Sequence, residues 1–150
     1  MKHFTISLLS VFLLPALVGA HCEIPCGIYG DEGRFDALLE NATTIEKSMN
    51  EINKLSGESE KNYNQIVRWV VNKEHHADQI RDIVAQYFLA QRITEPAEGD
   101  AEAMKAYTEK LMALHKIIRT AMLCKQTTDP KNAQTLRDHI NAFQTLYNAK

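Results

Sequence analysis

The chain has little of what would place it in several common classes. Three cysteines in 150 residues are too few for a disulfide-rich scaffold, and the odd number leaves at least one unpaired. There is no long block of lysine and arginine. Basic side chains are scattered among acidic ones, which excludes the charge footprint of a nucleic-acid binder. No run of alternating apolar and polar residues competes for β-structure, and no segment repeats another. Cys-x-x-Cys-His is absent, which excludes covalent haem attachment. After residue 20 no apolar stretch is long enough to span a bilayer.

What is present begins with a processing signal. Lys2 and His3 form a basic start, and Phe4 to Leu17 is apolar apart from Thr5, Ser7, Ser10 and Pro15. Val18-Gly19-Ala20 then matches a small-residue cleavage pattern. The apolar stretch falls short of the roughly 20 residues that cross a membrane, and acidic Glu23 follows closely. Bulky His21 before Cys22 fits a lipoprotein signal poorly. The expectation is an exported protein, periplasmic or secreted, cut between Ala20 and His21 and without a stable membrane anchor. Loss of residues 1–20 removes one lysine and no acidic residue, making the remainder one unit more negative than the −2 of the whole chain. Roughly 130 residues then remain, enough for one soluble domain with a modest core.

Residues 21–33 hold glycine and proline without sustained periodicity and read as a hook or arm. From Arg34 onward the pattern is helical. Phe35, Leu38, Leu39, Ala42, Ile45, Met49 and Ile52 recur at steps of three and four, and Ser56-Gly57 closes the helix. A second helix is expected from about Ser59 to Phe88, with Glu60 in its first turn. Tyr63, Ile66, Val67, Val70, Ala77, Ile80, Ile83, Val84 and Tyr87 form its apolar side. Thr94 to Asp100 reads as a loop whose last residue caps a third helix, striped by Met104, Tyr107, Leu111, Leu114, Ile118 and Ala121. Asp129-Pro130 pairs an N-cap with a first-turn proline, opening a fourth helix that carries Ala133, Leu136, Ile140, Phe143 and Tyr147. Four amphipathic segments joined by short loops predict an all-α fold, an antiparallel four-helix bundle over 34–150 preceded by an N-terminal metal-binding hook.

The bundle itself shows no metal-binding pattern. Three residues before His75, His76, His115 and His139 stand Asn72, Lys73, Met112 and Leu136, none acidic, so the Glu-x-x-His pairs of di-iron bundles are missing. Adjacent His75 and His76 point about 100° apart on a helix and read as solvated surface beside Glu74 and Asp78. Cys124 reads as a small buried apolar group, Trp69 as core or interface filler. Asn41-Ala42-Thr43 matches a glycosylation sequon but lies inside a helix and is given no role.

Chemistry concentrates in His21-Cys22-Glu23-Ile24-Pro25-Cys26-Gly27-Ile28-Tyr29. If the chain begins at His21, its free amine, the Cys22 amide nitrogen and the Cys22 thiolate can close adjacent chelate rings around one ion. Cys26 adds a second thiolate if the chain turns back, which Pro25 and Gly27 favour, and the His21 ring can add an axial nitrogen. Such an N₂S₂ set suits Ni(II) or Cu(II) better than tetrahedral, redox-inert zinc. A Cys22–Cys26 disulfide in an exported protein is the competing reading of the same pair.

The run His21-Cys22-x-x-Pro25-Cys26-Gly27-Ile28-Tyr29 resembles the nickel hook of the nickel superoxide dismutases, a family made as precursors whose processing exposes the histidine. The resemblance implies one nickel ion per chain, superoxide as substrate and a homohexamer of four-helix bundles. It also implies that His21 supplies the terminal amine and an axial imidazole, Cys22 its amide nitrogen and thiolate, and Cys26 the second thiolate. Tyr29 falls where the family has a tyrosine bordering the access channel. Glu23 replaces an aspartate usual there. With a one-residue gap after Tyr29, Asp36 falls where the family has a glutamate that orients the histidine ring. The expected function is superoxide dismutation. Its rivals are a copper- or nickel-binding protein without turnover and a disulfide-bonded helical structural protein.

Overall fold

A computed structural model describes residues 30–149 of the chain. The expected hook residues His21, Cys22, Cys26 and Tyr29, like the expected leader over 1–20, lie outside the described residues. Four helices are present, with no strand among the described residues: α1 Glu32–Gly57, α2 Tyr63–Asp82, α3 Ala101–Gln126 and α4 Pro130–Asn148. The helix of α2 continues without a break into a π-helical segment, Ile83–Arg92.

The helix starts follow from their capping side chains. The carboxylates of Asp100 and Asp129 accept from the backbone N–H groups of Ala103 at 2.9 Å and Lys131 at 3.0 Å, as the sequence suggests. At α2 the cap is Asn62, whose side chain accepts from Gln65 N–H at 3.2 Å. That helix therefore begins at Tyr63 rather than near Ser59, and Glu60 lies in the connection, outside any first turn.

Each helix packs on its neighbour in sequence, and α4 closes the ring against α1. Cross-contacts give the direction of packing. Along α1, Glu46 meets Arg137 and Asn53 meets the Thr128 carbonyl, so α4 descends as α1 ascends. Ser48 meets Asn72 and Asn41 meets His76, so α2 is antiparallel to α1 as well. The core contains Phe35, Leu38, Ala42, Ile45 and Met49 of α1 with Leu136, Ile140 and Phe143 of α4, the stripes legible in the sequence.

Two stripes differ from expectation. On α2 the first half of the apolar side is open: Tyr63 is 71% exposed, Val67 58% and Val71 61%. The cause is length. Lys73 already contacts the end of α3, so the ten residues before it run past that helix and keep α1, but not α3, beside them. Burial there falls instead on Lys73 itself, 2% exposed. Its ammonium donates to the carbonyls of Cys124 (2.7 Å) and Lys125 (2.6 Å) and to Glu74 (2.8 Å), closing the C-terminus of α3. On α3 the buried face is Ala113, Leu114, Ile117, Thr120, Ala121 and Cys124, while Met104 is exposed and Tyr107, Leu111 and Ile118 are half-buried. Ala113, Thr120, Ala121 and Cys124 of this face are small, and a search for bulky periodic residues passes over most of them.

Candidate metal centre

The end of the bundle at which α1 begins is built from aromatic rings. Phe35 of α1, Phe88 of the π segment and Phe143 and Tyr147 of α4 pack as one cluster with centroid separations of 5.0 to 5.7 Å. Each such pair adds about 0.5–1.5 kcal/mol beyond its buried area, so this is a stiff floor. Tyr87 stands against Phe88 at 5.2 Å.

Above the floor sits Asp31, the residue that leads into α1. Its carboxylate receives four hydrogen bonds. Tyr87 donates its hydroxyl to Oδ1, Arg92 donates Nε and Nη2 to the same oxygen at 2.9 and 2.8 Å, and Tyr147 donates to Oδ2 at 2.5 Å. Burial alone would raise the Asp31 pKa. The bonds from Tyr147, Tyr87 and Arg92 outweigh it and hold the carboxyl below its ordinary value. Burial and the Asp31 charge together push both phenols upward, so Tyr87 and Tyr147 remain protonated donors. Two guanidinium groups also lie over the Tyr87 ring, Arg34 at 5.6 Å and Arg92 at 5.2 Å from its centroid.

The π geometry is what allows Tyr87 and Arg92 to share one carboxylate. Five α-helical residues at 100° each would leave them about 140° apart. In a π-helical turn, closed by i→i+5 bonds, the same two positions fall on one face. None of Asp31, Tyr87, Arg92 and Tyr147 is recognisable as a site from sequence. The two tyrosines read as stripe members, and partners 56, 61 and 116 residues from Asp31 carry no local signal. An aspartate just ahead of a helix reads as an N-cap, but the Asp31 side chain makes no capping bond.

Other residues singled out in the sequence fall as follows. Asp36 is exposed on α1 and makes no hydrogen bond or ion pair among the described residues. His75 is exposed, but His76 is half-buried, with Nδ1 2.5 Å from Asn41 Oδ1, which corrects its reading as solvated surface. Burial and neighbouring His75 lower its pKa against the opposing pull of Glu40. Asn41, the sequon residue, is thereby turned into the protein and closed to glycan attachment. Trp69 is half-buried with Lys47 over its ring at 5.9 Å.

Cys124 is fully buried, and burial, partly offset by Lys73, pushes its thiol up to about 11, so it remains a thiol and fills space as expected. Among the described residues no three His, Cys, Asp or Glu side chains are grouped to hold a metal ion. None of the described helices is long and apolar enough to cross a membrane.

The donor chemistry of residues 21–26 fits nickel: two soft thiolates with amine and amide nitrogens. A family model described as nickel-containing superoxide dismutase matches residues 16–150, a range that takes in His21 to Tyr29 and all four helices. No curated protein and no solved structure matches the chain. The chain belongs to the nickel-containing superoxide dismutase family and is an enzyme that uses nickel.

Proposed function

We propose that the enzyme acts as an exported dismutase whose metal site is made by removal of residues 1–20. In this reading the hook is the part of residues 21–33 that precedes α1, whose first turn already takes in Glu32 and Gly33, and the helices are its support. The single observation carrying the assignment is the run His21-Cys22-x-x-Pro25-Cys26 placed directly after a cleavage pattern. Cutting at Ala20–His21 frees the amine of His21. Together with the Cys22 amide nitrogen and the thiolates of Cys22 and Cys26, that amine would hold nickel, with the His21 ring as an additional ligand. When bound, nickel supplies one-electron chemistry through its Ni(III)/Ni(II) couple. The net reaction converts two superoxide anions and two protons into O₂ and H₂O₂. The chain's own part is to supply anionic sulfur and nitrogen donors that favour the higher oxidation state. Tyr29, by the family resemblance, would border the approach of the small anion. The thiolates face peroxide, an oxidation hazard that metal binding limits.

A homohexamer carrying one nickel per chain is part of this reading. The uncovered apolar side chains Tyr63, Val67, Val70 and Val71 support assembly, since a row of this kind seeks a partner surface. The test is to compare protein beginning at His21 with protein that retains Ala20. The first should bind one nickel per chain and dismutate superoxide, and the second should lose both properties with its helices intact. Equal activity in the two would contradict the terminal-amine ligand. Metal bound without turnover in the first would favour the carrier.

A further inference from the structure

We infer that Asp31, gripped by Tyr87, Tyr147 and Arg92, is a positioning residue for the nickel hook, setting where residues 21–29 leave the bundle. This rests on the reading of those residues as the metal site. Four observations carry it. Asp31 stands in the N-cap position of α1, where an aspartate ordinarily accepts from the first-turn N–H groups, and it makes no such bond. Its carboxylate instead ties α1 to the π segment and to α4 at once, with both oxygens occupied. That leaves it unsuited to act as a metal ligand or to orient a histidine ring.

The ten-residue π segment is the second sign. Such segments are rare and concentrate at functional sites, and this one brings Tyr87 and Arg92 to the same oxygen. Third, the adjoining residue, Gly30, has φ +83°, a left-handed conformation that side-chain-bearing residues adopt reluctantly, so the turn into α1 is set as well. Fourth is reach. The Cα of Tyr29 lies within about 7 Å of that of Asp31 and the Cα of Cys26 within about 18 Å, at roughly 3.6 Å per residue. The nearest proposed ligand is therefore held within a short length of chain from the clamp. Groups outside the ligand set that orient ligands commonly change metal affinity about 10- to 100-fold.

The competing view is that the cluster only pins helix ends together. The experiment separates the two with nickel-loaded protein beginning at His21, comparing wild type, Asp31→Asn, Tyr147→Phe and Lys73→Met. Tyr147→Phe keeps the ring in the aromatic floor and removes only the hydroxyl. Lys73→Met disturbs stability far from the hook. Three quantities are read for each: the rate of nickel transfer to EDTA, the line shape of the nickel EPR or absorption signal, and Tm. Asp31→Asn and Tyr147→Phe should release nickel about tenfold faster and broaden the signal, whereas Lys73→Met changes neither at a comparable loss of Tm. Release rates within twofold of wild type in both clamp variants, or an equal acceleration in Lys73→Met, would overturn the inference while leaving the hook intact. A wild-type protein that binds no nickel would overturn the hook reading and this inference together.

Discussion

Asp31 and Lys73 make an instructive pair. Each is a charge drawn into the protein and surrounded by hydrogen bonds, one at the hook end of the bundle and one beside the overhang of α2. Lys73 is bound to two carbonyls at the end of α3 and to neighbouring Glu74. Its work is complete once that helix is closed. The Asp31 carboxylate is bound only by side chains, from elements distant in sequence, and gives its own helix no side-chain cap. A charge that closes a helix end needs no other explanation than stability. One that forgoes its local bond to fix a chain junction beside the proposed ligands points to position.

The sharpest way to divide the molecule into metal site and support is to remove a thiolate. Cys22→Ser or Cys26→Ser should reduce dismutation to background while circular dichroism and Tm stay near wild type, because neither residue belongs to the described core. Activity retained in either variant would refute the two-thiolate site. Next in size is Phe88→Ala. Its ring contacts Phe35, Phe143 and Tyr147 and is fully buried, so truncation should cost about 3–5 kcal/mol in urea denaturation. It should also lower the nickel content of the fraction that remains folded, because it opens the floor beneath Tyr87. Lys73→Met should cost about 1–3 kcal/mol by leaving two carbonyls without their donor, with activity per folded molecule unchanged.

Acid provides a gentler probe of the same contrast. Because the folded-state pKa of Asp31 lies below its ordinary 3.8, its stabilising contribution is full above that value and is lost as pH falls through the lower folded one. Wild type should therefore lose Tm more steeply than Asp31→Asn below about pH 4, the ordinary carboxylate range. Parallel curves would mean that the clamp contributes nothing to the folded state. The smallest effect is expected at the overhang. Val71→Lys should change stability by no more than about 0.5 kcal/mol, as for an exposed position. If this face joins copies of the chain, the same change should lower the mass measured by light scattering, and an unchanged mass would exclude this stretch of α2 as a contact.

The fold was legible where local chemistry decides it. Asp100 and Asp129-Pro130 mark helix starts through side chains beside the groups they bind, and the α4 stripe reads straight off the sequence because one face of that helix meets the core along most of its length. Legibility failed where neighbours decide. Periodicity shows that α2 has an apolar face but not that α3 ends before covering it, nor that Lys73 will be drawn in at that end. The π segment was invisible because its residues satisfy an α-helical stripe almost as well. At the centre itself the division is complementary. The ligand residues could be named because a processed terminus, two thiols and a proline stand together within six residues, while their support at Asp31 depends on pairings across the bundle that only folding creates.

The most direct measurement is nickel content and superoxide dismutation of purified protein whose first residue is verified as His21. One nickel per chain, with activity that disappears when nickel is removed and returns when it is restored, is the expected result. A metal-free protein lighter by two hydrogens, with Cys22 and Cys26 joined and no activity restored by reduction and nickel, would contradict it.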